Sequence, residues 1–253
     1  MIHRSYDLND ELVEKDNPAL ALSVAGYYAG LVFALGGTIV GPSNGIIADM
    51  VDLAIYGIIA IILINLSWFV CDRLILRRFN IIDELIRDRN QGTGAVSCGV
   101  SIASGLIIYG AVSGEGGNVW TAIAFWCIGQ LMLILAGLMY NFITPYCIHD
   151  EIERDNVAAG VSFAGALIAM GIIVGLSAEG DFDSWSEDLP KFIYISTIGI
   201  LLLPIIRFVT DKVLFPTRKI TDEIANQEIP NVGVAYIEAF SYIAAAFIIY
   251  WTV

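Results

Sequence analysis

The sequence predicts an all-α, polytopic transmembrane helical bundle of about seven spans. Three observations predict it. Of the 253 residues, 57% are hydrophobic and only 15% charged, and the mean hydropathy is +0.72; a soluble domain carries about 25% charged residues. The apolar residues fall in blocks long enough to cross about 30 Å of hydrocarbon as helices. The charged residues gather in the gaps between those blocks. In lipid each span must satisfy its own backbone polar groups, so helix is expected over strand.

The seven stretches lie near 18–40, 50–76, 93–113, 119–145, 157–177, 190–214 and 231–252. Charge sets their orientation. Arg4 and Lys15 precede the first span, and five arginines lie between the second and third. Arg154 precedes the fifth span, and Arg207, Lys212, Arg218 and Lys219 cluster between the sixth and seventh. Lys191 alone falls on the opposite side, so twelve of thirteen basic residues share one face. The positive-inside rule makes that face cytoplasmic, with the N-terminus in and the C-terminus out. The outer segment 178–190, "AEGDFDSWSEDLP", is acidic, and Trp120, Trp185 and Trp251 stand where an outer aromatic belt is expected.

Composition also excludes functions. A net charge of −13 argues against a nucleic-acid partner, which needs basic surface. Cys71, Cys98, Cys127 and Cys147 have no metal or redox spacing and read as small buried apolar side chains. With His3 and His149 as the two histidines, a His-based metal centre is not expected. The first apolar run follows an acidic stretch rather than a basic one, unlike a cleavable signal peptide. No Walker loop, Gly-x-Ser-x-Gly or HExxH occurs, so neither enzymatic activity nor a cofactor is expected.

Four segments share one plan: 10–37, 83–110, 149–177 and 222–250. Each opens on an acidic pair (Asp10-Glu11, Asp83-Glu84, Asp150-Glu151, Asp222-Glu223). Each then reaches an Asn, at Asn17, Asn90, Asn156 and Asn231, followed by small residues. Asn at the membrane surface suits an N-cap, acid before it suits the helix's positive end, and Pro18 suits a first helical position. Nine residues after the first three asparagines stand Gly26, Gly99 and Gly165; the fourth copy has Phe240. Gly26 with Gly30, and Gly171 with Gly175, have the spacing of close helix packing.

The even-numbered spans also end alike. "CDRLILR" (71–77) aligns with "TDKVLFP" (210–216) and more weakly with "MYNFITP" (139–145). Asp72, Arg73 and Lys212 read as cytoplasmic anchors. The repeats imply duplicated helix pairs that insert in the same sense.

The unit "YNFITP…HDEIERDNVAAGVSFAG" resembles the YjfL-like bacterial inner-membrane proteins, a family named as a domain of unknown function with four spans per unit. Residues 119–253 cover one unit. Residues 1–114 cover a second that lacks its first helix, which leaves room for another subunit beside spans one to three. The resemblance implies an integral, multi-pass protein of the bacterial inner membrane, linked with envelope stress, and carries over no catalytic residues.

Polar groups within the spans are the candidate site. Glu238 lies about two turns into span seven with no basic residue nearby in sequence. Arg207 lies three residues after Pro204, and its spacing of four to Asp211 predicts an ion pair on one helix face. Asn65, Gln130 and Asn141 are expected to bond across helices. Ile81, Ile82, Leu85 and Ile86 form a stripe suited to a collar lying in the interface. The outer acidic segment is expected to bind cations weakly at best, having no calcium-loop ladder. Two functions follow: a non-catalytic scaffold that assembles with itself or with partner membrane subunits, or a small-cation or proton pathway using Glu238.

Overall fold

A computed structural model describes residues 6–40, 45–76, 78 and 80–252; His3, Arg4 and Arg77 lie outside them. After a π-helical collar at Asp10–Glu14 come α1 (Pro18–Gly36) and α2 (Ile46–Val70), which continues through a π-helical turn at Cys71–Ile75. The short α3 (Ile81–Ile86) leads into α4 (Gln91–Val112), and α5 (Val119–Ile143) follows. Then come α6 (Ile148–Glu153), α7 (Val157–Ser177) and α8 (Trp185–Val209), which ends in a π-helical turn at Thr210–Leu214. The chain closes with α9 (Ile220–Ile224) and α10 (Val232–Tyr250). Among the described residues, α1, α2, α4, α5, α7, α8 and α10 are long and apolar enough to cross a membrane.

The spanning helices form two layers. In the first, α1 packs on α4, α4 on α7 and α7 on α10, making a row. In the second, α2 lies against α1 and α4, α5 against α4 and α7, and α8 against α7 and α10. The first collar, α3, α6 and α9 each precede one helix of the row.

Small residues set the row's spacing. A Cβ added to Gly26 would lie 2.3 Å from Cα of Cys98. On Gly99 it would lie 2.9 Å from Cα of Ala164, and on Gly165 it would lie 2.4 Å from Cα of Ala239. Each partner stands eight residues after the capping Asn of the next helix. Nearer the helix starts Gly94 meets Ala19, and further along Gly37 meets Tyr109, so the helices run parallel. Gly30, Gly171 and Gly175 likewise abut backbone, of Ser101, Ala103 and Leu106. Such approach maximises dispersion contacts where lipid supplies no hydrophobic drive. Phe240, at the same step on α10, is 66% exposed and meets no further row helix among the described residues.

Several boundaries differ from expectation. α1 ends at Gly36 rather than 40, and α2 starts at Ile46, so Asp49 and Asp52 are helical. α8 starts at Trp185, which takes half of the expected acidic loop into a helix with Glu187 and Asp188 in its first turn. The α3 stripe packs on protein rather than lying free in the interface: Ile81 and Leu85 are buried. Of the cysteines, Cys71 is buried, Cys98 and Cys147 are half-buried, and Cys127 is exposed on the outside of α5; all four are free thiols.

Candidate functional site

Arg207 and Glu238 are brought together across α8 and α10 in a buried ion pair. Glu238 is 0% and Arg207 8% exposed. The guanidinium also donates to the Tyr140 hydroxyl on α5 at 3.4 Å and the Thr221 hydroxyl on α9 at 3.5 Å. It lies 5.8 Å from the centre of the Tyr140 ring. Tyr242 donates to Glu238 Oε1 at 3.5 Å. One arginine thus links α5, α8, α9 and α10. Among the described residues, Glu238 Oε2, Ser162 Oγ and the Tyr146 hydroxyl are buried there without a hydrogen-bond partner. Tyr146 lies outside the spans. Burial, and then the Glu238 charge, push its phenol up to about 12, partly offset by Arg207.

The expected Arg207–Asp211 pair does not form. Asp211 lies within the π-helical turn after α8, where residues four apart no longer share the face they share in an α-helix. Its carboxylate accepts from the Ile220 backbone N–H at 2.8 Å and lies 3.6 Å from Lys212 Nζ. Asp72 does the same at the end of α2, accepting from Ile81 N–H at 3.3 Å and pairing with Arg73 at 3.4 Å. Asn141 accepts from Ile148 N–H at 3.0 Å. Asp72, Asn141 and Asp211 therefore each satisfy the first free N–H of the following collar.

A second set of junctions repeats along the row. Asn17 caps α1 through Leu20 N–H (3.1 Å) and donates to Glu11 Oε2 (3.3 Å) and to the Leu85 carbonyl of α3 (2.8 Å). Asn90 caps α4 through Thr93 N–H (2.9 Å) and donates to Glu84 Oε2 (2.9 Å) and to the Ile152 carbonyl of α6 (2.6 Å). Asn156 caps α7 through Ala159 N–H (3.0 Å) and donates to Glu151 Oε2 and the Ile224 carbonyl of α9 (both 2.8 Å). Asn231 caps α10 through Val234 N–H (3.2 Å) and donates to Glu223 Oε2 (3.0 Å), with no collar of this chain beyond it. Asp16, Arg89 and Asp155, just before the first three caps, hold φ of 49°, 54° and 61°. This left-handed residue turns the chain from collar into membrane helix.

The remaining polar groups are similarly engaged. Asn65 Nδ2 donates to the Tyr27 hydroxyl at 3.1 Å across α1 and α2, and Gln130 to Ser104 at 3.2 Å across α5 and α4. At the end of the bundle opposite the collars, Glu179 accepts from the Tyr109 hydroxyl at 3.0 Å and Asp181 from Glu115 N–H at 2.8 Å. Asp188 accepts from Asp183 N–H and Ser184 N–H at 2.9 and 3.0 Å. Asp181 and Asp188 thus serve the loops' own backbone and Glu179 ties the loop to α4; no group of three or more His, Cys, Asp or Glu set to hold a metal occurs among the described residues. A cavity of about 750 Å³ at that same end is lined by Thr38, Asp49, Asp52, Tyr56, Glu115 and Asn118, among others.

The chain is 21% identical, over 252 residues, to a UPF0719 transmembrane protein of Aquifex aeolicus (strain VF5), covering 98% of this chain and 90% of that one. No solved structure matches it. A family match extends over residues 1–112 and again over 116–253, nearly the whole chain. The chain is a multi-pass membrane protein belonging to the Domain of Unknown Function family DUF350.

Proposed function

We propose that this chain is a non-catalytic scaffold or assembly subunit of a bacterial inner membrane. Its N-terminus and collars lie on the cytoplasmic side and its C-terminus outside, following the clustering of its basic residues. It assembles with itself beside the first three spans, in the service of envelope maintenance. One observation carries the reading: the charged pair inside the bundle, Arg207 and Glu238, closes on itself and joins helices. A carboxylate set against a guanidinium in a buried junction acts as a fastening.

Native mass spectrometry of the full chain in lipid nanodiscs tests the scaffold reading. A discrete oligomer supports it; a monodisperse monomer overturns it.

A second reading, a small-cation or proton pathway, draws on the unpartnered Glu238 Oε2 and Ser162 Oγ in that same junction. Flux into reconstituted vesicles that disappears in Glu238→Gln would replace the scaffold by this reading. Parent vesicles that leak no faster than empty ones would remove the pathway.

A further inference from the structure

The face of α2 that points away from the bundle carries a polar group where lipid offers it no partner. Asp52 and Asp72 stand twenty positions apart along α2 and its terminal turn, a rise of about 30 Å, the thickness of the hydrocarbon. Asn65 lies seven residues from Asp72, about 10 Å inside that boundary. It is nonetheless exposed. Its amide nitrogen is used within the chain, donating to Tyr27 and, at 2.7 Å, to the Ile61 carbonyl. Its Oδ1 accepts no hydrogen bond among the described residues. The Tyr27 hydroxyl, which accepts from Asn65, retains its own proton to donate. A carbonyl acceptor and a hydroxyl donor therefore sit side by side on the outer edge of α1 and α2, inside the apolar layer.

The side chains around Asn65 have the spacing of a helix seam. Val51, Ile55, Ile58, Ile62, Asn65 and Phe69 follow one another at alternating steps of four and three residues. Val51, Ile55, Ile58, Ile62 and Phe69 are 45–60% exposed. A repeat averaging 3.5 residues brings two helices together along a shallow left-handed crossing. Lipid chains solvate the aliphatic members of this stripe well, but they cannot donate to Oδ1 or accept from the tyrosine. A second copy of the same edge supplies both. Under a two-fold axis along the membrane normal, α2 meets α2 in parallel, and each Asn65 carbonyl faces the donors of the other edge. An amide–hydroxyl pair is self-complementary in this way, which a two-fold contact requires.

We propose that the outer stripe of α2, centred on Asn65, is the docking surface for a second copy of this chain. The proposal rests on the self-assembly reading above and names where that assembly occurs. Two measurements test it. Dissociation of the full chain in nanodiscs, followed by native mass spectrometry, should rise about five- to thirty-fold in Asn65→Val, the range for two symmetry-related interhelical polar contacts in a membrane at about 0.5–1 kcal/mol each. Asn65→Gln, which keeps donor and acceptor, should restore most of the loss. Because Asn65→Val also loses the bond to Tyr27, a second variant leaves that bond intact. In a Cys127→Ser background, Ile58→Cys should form a disulfide-linked dimer on mild oxidation, whereas Phe208→Cys on the exposed face of α8 should not. An oligomer that persists unchanged in Asn65→Val, with no Ile58→Cys cross-link, overturns the interface while leaving self-assembly in place. A parent chain that is monomeric at every concentration overturns both and leaves lipid as the occupant of the stripe.

Discussion

The Glu238 carboxylate on α10 is held by the guanidinium of Arg207 on α8, thirty-one positions earlier in the chain. Each charge is tolerable in the bundle because the other is there. Removing one partner of a buried pair strands the other charge and typically costs 3–5 kcal/mol, whereas replacing both by apolar groups of similar volume is often neutral. Arg207→Met and Glu238→Leu should therefore each destabilise by about 3–5 kcal/mol. The double variant should recover most of that loss, as read by unfolding in mixed detergent micelles. Additive losses would mean that the two residues act independently.

The Asn junctions differ in what lies beyond them. Asn90 and Asn156 each supply a cap and a bond to the next collar, whereas Asn231 has the cap alone of these two. A lost N-cap costs about 1 kcal/mol and a lost buried bond about as much again. Asn90→Ala and Asn156→Ala should each destabilise by about 2 kcal/mol, and Asn231→Ala by about half of that. Amide hydrogen exchange should show the extra loss at the neighbouring collar: α6 for Asn90→Ala and α9 for Asn156→Ala.

Gly110 and Gly165 leave no room for a side chain. A Cβ at Gly110 would sit 1.8 Å from the Gly175 carbonyl oxygen, and one at Gly165 would sit 2.3 Å from the Ala239 Cβ. Gly110→Ala and Gly165→Ala should push the row apart, at a cost of about 1–3 kcal/mol each. Phe240→Leu, at the equivalent step where no helix follows, should change stability by less than about 0.5 kcal/mol. Thermal unfolding of the three variants side by side checks the order.

Glu84 titrates against the fold. Burial in the collar pushes its carboxyl up, and the charges of Asp88, Asp155 and Glu153 add to this, while the bond from Asn90 pulls it partly back. An acid whose folded pKa is raised binds its proton more tightly in the folded state. Its favourable contribution is therefore largest at low pH and declines as pH rises from the ordinary carboxylate range through the raised value. Glu84→Gln keeps an acceptor for Asn90 and removes the charge. The variant should be more stable than the parent at neutral pH, with the difference shrinking on acidification. A difference that grows on acidification would contradict this.

Much of the architecture was legible because lipid imposes a simple rule on long apolar runs. The two starts that were misplaced, Ile46 and Trp185, share one cause: Asp49, Asp52, Glu187, Asp188 and Pro190 look like loop residues although they lie in the opening turns of helices. The Arg207–Glu238 pair was not legible. Nothing periodic connects residues on helices separated by a collar, while Asp211 offered the right spacing on the wrong kind of helix. The second use of each Asn, reaching the next collar's carbonyl, needs knowledge of which helices are neighbours. A fainter signal was present in the residue before the first and third caps, since Asp tolerates the left-handed turn that Asp16 and Asp155 adopt; Arg89, before the second, gives no such signal.

The central claim is that the row helices enter the membrane from one shared side. Accessible cysteines introduced at Asp88, Glu153 and Asn226 in the collar segments, and at Asp183 in the loop before α8, can be labelled with a membrane-impermeant thiol reagent in oriented vesicles, in a Cys98→Ser, Cys127→Ser, Cys147→Ser background that keeps only the buried Cys71. The first three should react from one side only and the fourth only from the other. Labelling of the Asp183→Cys site from the collar side, or of the three collar sites from opposite sides, would contradict the parallel row and the fold built on it.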